Sequence, residues 1–212
     1  KQRKRWEDGG AQQQRHRDVA ERQAWYAAQS GDRYHGLLAE AARYHSKEDP
    51  RRAAKANREA IALMPDEPYA YFNLANALNT SGHLVEAAER FLEARERYPV
   101  DSKGWARSTA SAFNLLIQKE CDEVAKPEWW NDQGLKALSA RAVSALPNDV
   151  GANSMRAVVL SGMCAAWEVG ARSTAELKEA GAFFDRAVVL CDAPAQKAAL
   201  AGNADLCRRA AA

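Results

Sequence analysis

Apolar positions along this chain recur at helical spacing. Tyr71, Leu74 and Leu78 fall at i, i+3 and i+7, on one face of a helix. Ala87, Phe91 and Ala94 form a second such stripe, and Ala180, Phe184 and Ala187 repeat its small–large–small order. The alanines let two helix backbones approach closely, and the phenylalanine fills the space between them. Leu37, Ala41 and Tyr44 mark an earlier helix, after which Asp49 serves as N-cap and Pro50 as first residue of the next. A long polar helix over Gln12–Ser30 is anchored by Val19, Trp25 and Tyr26. A capping helix over Ala195–Ala210 closes the chain, with Leu200 and Leu206 inward and Arg208 and Arg209 near its C-terminal end.

The stripes repeat. Pro65 and Pro99 stand 34 residues apart, as do Ala60 and Ala94, Ala53 and Ala87, and Ala41 and Ala75. A 34-residue period is that of helix–turn–helix solenoid repeats. The segment Pro68–Asp101 resembles the tetratricopeptide repeat (TPR): its signature positions are met by Tyr71, Leu74, Ala75, Leu78, Gly82, Ala87, Phe91, Ala94 and Pro99. Tyr34–Glu67 keeps Leu37, Ala41, Tyr44, Ala53, Ala60 and Pro65, but has Glu40 where a large apolar residue is usual and Asn57 where an aromatic is usual.

A third repeat begins at Ser102, has Trp105 in the aromatic position, and carries a first helix to about Gln118. The period then slips. Gln133 stands where a proline is due, and the matching Pro147 comes 14 residues later, an excess that falls in Lys119–Gly134. A second helix over Leu135–Leu146 follows. The fourth unit opens near Val150, with helices over Asn153–Trp167 and Leu177–Leu190 around an insertion at Glu168–Glu176.

The resemblance implies an all-α fold, a right-handed TPR-like α-solenoid with an N-terminal helix and a C-terminal capping helix. Its parts are an N-terminal arm and helix (1–33), two TPR repeats (34–101), two degenerate repeats with insertions at 119–134 and 168–176 (102–194), and the cap (195–212). The stretch from Cys121 to Asp149 also looks like a group of uncharacterised TPR proteins of unicellular algae, which implies an organellar assembly and no activity.

Composition agrees with helices. Alanine accounts for 45 of 212 residues, whereas Val, Ile and Thr together number 16. A net charge of +2 excludes a strongly basic nucleic-acid coat and an acidic disordered tail. No run approaches the roughly 18 apolar residues of a membrane span. Cys121, Cys164, Cys191 and Cys207 are scattered, without C-x-x-C or histidine at ligand spacing. They read as small buried hydrophobes in a reducing compartment, cytoplasmic or organellar, a plastid included. No metal or cofactor site is expected. The histidines, His16, His35, His45 and His83, belong to no catalytic motif, and no glycine-rich phosphate loop exists, so the chain reads as non-enzymatic. Opening at Lys1 without Met, it reads as processed or partial.

TPR solenoids line a concave groove with the first helix of each repeat. The resemblance therefore places His35, Leu38, Ala42 and His45 there, with Tyr69, Phe72, Asn73, Asn76 and Asn79, and then Lys103 and Arg107. Asparagines offer donors and acceptors to an extended peptide, and Lys103 and Arg107 present two cations one turn apart. Asn73, Lys103 and Arg107 resemble three of five positions of the clamp by which some TPR domains grip acidic chaperone tails. Leu38 and Ala42 stand where that clamp has Lys and Asn. The bland alternative is a solvated face.

Two other features carry partner hypotheses. Trp129 and Trp130, adjacent in the first insertion, cannot both point inward from a helix, so they either supply a hot spot or fold back over the ridge. Lys1, Arg3, Lys4 and Arg5 make the start basic: residues 1–60 carry 14 basic and 9 acidic side chains, residues 61–212 carry 16 and 19. Such an arm suits an acidic subunit, an anionic membrane surface or nucleic acid, although no RNA-binding signature accompanies it. The expected function is a protein–protein interaction scaffold using groove and insertions. The alternative is a subunit of a large multi-protein complex held by the arm and the Trp pair, with a nucleic-acid adaptor less favoured.

Overall fold

The structure, a computed structural model, describes residues 31–212, so the expected helix over Gln12–Ser30 and the arm residues Lys1, Arg3, Lys4 and Arg5 lie outside the described residues. The described part is helical, with no strand among its residues. It divides between Asp66 and Glu67 into two units.

The first unit holds helical residues 31–46 (α1) and α2, Pro50–Leu63. The Asp49 carboxylate accepts the Arg52 backbone N–H and Pro50 occupies the first turn, as the sequence predicts. Leu37, Ala41, Ala53, Ala56 and Ala60 are buried. Asn57 is buried too, its Nδ2 donating to the Ala53 carbonyl.

The second unit runs through α3 (Pro68–Thr80), α4 (Leu84–Arg97), α5 (Lys103–Leu116), α6 (Asp132–Ala145), α7 (Val150–Ser161), α8 (Thr174–Leu190) and α9 (Pro194–Ala210). Each helix packs on the next, and α5 also packs on α7. Neighbour-to-neighbour packing of this kind is the logic of a repeat stack, where each pair buries the face its neighbour leaves open. Gly82, in the left-handed conformation at φ 78°, turns the chain between α3 and α4. Ala87, Ala94, Ala180 and Ala187 are fully buried where the backbones meet, with Phe91 and Phe184 between them.

Several boundaries differ from the sequence reading. The helix expected to reach Trp167 stops at Ser161, because Gly162 adopts the left-handed conformation at φ 65° and its N–H bonds to the Val158 carbonyl. Trp167 instead lies in the loop and is buried. The following helix starts at Thr174, three residues earlier than Leu177, because Ser173 and Glu176 form a reciprocal capping box. Likewise α6 begins at Asp132, since the Asn131 side chain accepts the Gly134 N–H. The irregular segments are therefore 117–131 and 162–173, against expected insertions at 119–134 and 168–176. In α9 the inward stripe is Leu200, Ala204 and Cys207, while Leu206 is 45% exposed. Gly181 of α8 faces this stripe: a Cβ there would meet Cys207 Cβ at 3.7 Å, an ordinary packing distance.

Candidate functional site

Tyr69, Asn73 and Asn76 follow one another at i, i+4 and i+7 on α3. Tyr69 is 52% exposed, Asn73 and Asn76 are half-buried, and Asn79 is exposed. Beneath them Leu74, Ala75 and Leu78 fix the helix in the core, so the polar face is held on a rigid element. Phe72 departs from expectation. Its ring stands edge-on to Phe91 at 5.3 Å, so it packs on its own repeat's second helix.

Lys103 and Arg107 lie one turn apart on α5, both exposed. Lys103 makes no ion pair among the described residues. Arg107 does: its Nε is 3.6 Å from Asp149 Oδ2, while Asp149 Oδ1 caps α7 by accepting the Ala152 N–H. Sequence reasoning missed this partner because it belongs to the next repeat. The pair joins an exposed Arg107 to a half-buried Asp149 at 3.6 Å, a long and weak contact of about 0–1 kcal/mol, so an incoming carboxylate can compete for Arg107. The first-repeat residues lie in the first unit: His35, Ala42 and His45 are exposed there and Leu38 is half-buried.

Both tryptophans of the first insertion fold back. Trp129 and Trp130 are half-buried, their rings 5.8 Å apart, and both pack on the core around Trp105, Phe113 and Leu135. Trp130 Nε1 donates to the Ala166 carbonyl at 2.9 Å and meets Trp167 edge-on at 6.1 Å. Trp167 Nε1 donates in turn to Asp132. The two irregular segments thus cover one another. Sequence spacing gave no warning of this, because the contact spans 36 positions.

The electrostatic centre of that junction is Asp132. Arg172, Trp167 and Lys136 hold its carboxyl far below the usual carboxylate range, the Arg172 fork foremost. Glu176 is lowered to about 2 by Lys136, 2.6 Å away, and by the Ser173 backbone N–H. Burial pushes the Cys121, Cys164 and Cys207 thiols up, which disfavours the reactive thiolate. No three His, Cys, Asp or Glu side chains converge as metal ligands among the described residues. Nor is any described helix long and apolar enough to cross a membrane.

Solved structures share this arrangement. The MamA protein superposes with a TM-score of 0.55 at 12% identity, over 84% of each chain. YrrB, described as a TPR protein with an unusual peptide-binding site, gives 0.52 at 17%, over 82% of this chain and 76% of its own. The fold is that of the TPR solenoids. TTC0263, a TPR protein of Thermus thermophilus, matches with 0.53 at 17%, over 84% of this chain and 89% of its own. No family model and no curated protein matches the sequence, and the algal resemblance finds no support in these comparisons. At such identities the TPR likeness concerns the fold.

Proposed function

We propose that this chain is a non-catalytic protein–protein interaction scaffold that takes an extended segment of a partner along the exposed side of α3 and α5. Tyr69 provides a rigid amphipathic contact, Asn73, Asn76 and Asn79 provide donors and acceptors for a peptide backbone, and Lys103 and Arg107 provide positive charge. The observation that carries this reading is the α3 face itself: a large aromatic left open beside three asparagines, on a helix whose other side is locked in the core. Preorganised side chains on rigid helices lose little entropy on binding. The TPR fold adds weight, since YrrB, of the same fold, is described as having a peptide-binding site.

Trp129 and Trp130 carry less of this role than their sequence suggests, because both rings pack on the core. That also weakens the alternative of a complex subunit gripped by the Trp insertion, and leaves the N-terminal arm as its main support.

The test is affinity isolation from native extract with the intact chain and with a Tyr69→Ala, Asn73→Ala, Lys103→Ala variant. Proteins retained by the first and lost by the second are partners of this face. An identical set from both removes the reading.

A further inference from the structure

The last helix of the second unit, α9, has an apolar outer side. Its inward stripe, Leu200, Ala204 and Cys207, packs on α8. Ala195, Ala199, Gly202 and Leu206 follow at i, i+4, i+7 and i+11, which gathers them on the opposite side. All four are exposed, and a Cβ at Gly202 would meet no described atom within 4 Å. The end of a repeat stack ordinarily turns a polar face to water. Here Lys197, Asp205 and Arg208 fall beside the stripe rather than on it, and Arg208 is engaged by Asp185 and Asp205. Asp192, just before the helix, and Arg209, in its last turn, continue the line of the stripe at either end. Both are exposed, and neither makes an ion pair among the described residues.

Small residues spaced along one side of a helix let a second helix approach closely, and a leucine among them supplies the bulk. We propose that the outer side of α9 is covered by the α9 of a second copy of this chain, antiparallel, about a two-fold axis level with Leu200 and Ala201. The pattern is its own complement in that register. Leu206 falls on the partner's Ala195 and Ala199 on the partner's Gly202, large against small. The same register brings Arg209 to the partner's Asp192. Two-fold symmetry makes each contact twice, so two opposite-charge pairs bracket one apolar seam. An in-register parallel pair would instead set Arg209 against Arg209 and Asp192 against Asp192, which like-charge repulsion opposes. A single helix pair is a small interface, so the association is reversible. It stands independently of the α3–α5 face, since its residues are others.

The experiment is sedimentation equilibrium of the intact chain over a concentration series, where a reversible monomer–dimer equilibrium is expected. Leu206→Glu places a charge in the seam twice and should weaken self-association about a hundredfold or more. Leu206 is exposed in the single chain, so this change spares the fold, which a thermal melt verifies. Arg209→Asp alone and Asp192→Arg alone should each weaken the dimer about tenfold, because like charges then meet at both ends. An equimolar mixture of these two variants should dimerise as the unaltered chain does, since every end of the mixed pair again joins opposite charges. A dimer indifferent to Leu206→Glu, or a mixture that fails to recover, would overturn the assignment. So would a chain that is monomeric at every concentration; a protein then retained from native extract, and lost in Leu206→Glu, would own this face instead.

Discussion

Asp132 and Arg172 grip each other across 40 positions of sequence. Arg172 donates from Nη1 to Asp132 Oδ2 at 2.9 Å and from Nη2 to Oδ1, and also bonds to the carbonyls of Val159 and Gly170. Its side chain is only 6% exposed. One guanidinium thus joins the start of α6, the end of α7 and the second irregular segment. Removing Asp132 leaves the buried Arg172 charge without its carboxylate, a loss of about 3–5 kcal/mol, and removing Arg172 leaves Asp132, 23% exposed, with only Lys136 and the Trp167 N–H among the described residues. Arg172→Met should lower the urea midpoint accordingly, and Asp132→Asn on top of it should cost much less than it does alone. Additive losses in that double-mutant cycle would show the two residues to be uncoupled.

The pH dependence follows from the same region. Asp132 and Glu176 both titrate below the values of about 3.9 and 4.3 that they take when unfolded. Protons therefore favour the unfolded chain. The contribution of these carboxylates is complete at neutral pH, begins to fade as pH falls through about 5, and for Glu176 is gone below its folded value of about 2. Urea unfolding measured between pH 7 and pH 3 should show a steady decline on the acid side, with a shallower slope in Asp132→Asn. Stability that holds level down to pH 3 would contradict this account.

Gly134 is a third point of leverage. A Cβ at this position in the first turn of α6 would lie 2.5 Å from the Trp129 backbone oxygen, which cannot swing aside as a side chain can. Gly134→Ala, harmless to an ordinary helix, should here cost about 1–3 kcal/mol by displacing the Trp segment. The melting temperature and the near-ultraviolet dichroism of the tryptophans should change together.

Asn57 offers the reverse case. It is buried, and its Oδ1 has no partner among the described residues. Its Nδ2 bond to the Ala53 carbonyl would be lost, but removing the unpartnered buried Oδ1 outweighs that loss when an apolar group of similar size fills the space. Asn57→Leu should raise the thermal midpoint, corresponding to about 1 kcal/mol, and calorimetry of the intact chain measures it directly.

Much of this protein is legible in the order of its residues. Stripes such as Ala87, Phe91 and Ala94 determine helices and their buried faces, because helical periodicity and side-chain volume are local properties. The 34-residue stride determined the repeat fold for a related reason: identical spacing forces each helix pair to bury the same face against its neighbour. Tyr69, Asn73 and Asn76 could be assigned to one side of α3 by counting residues alone. What only the tertiary structure decided are the contacts between distant loops. Trp129 and Trp130 turned inward because Ala166 and Trp167 came to meet them, Arg107 found Asp149 one repeat on, and Arg141 took Asp101. Such partners are chosen by the path of the chain in space. The energy of a charge or an indole depends on what lies within a few ångströms, which residue order along the chain does not specify.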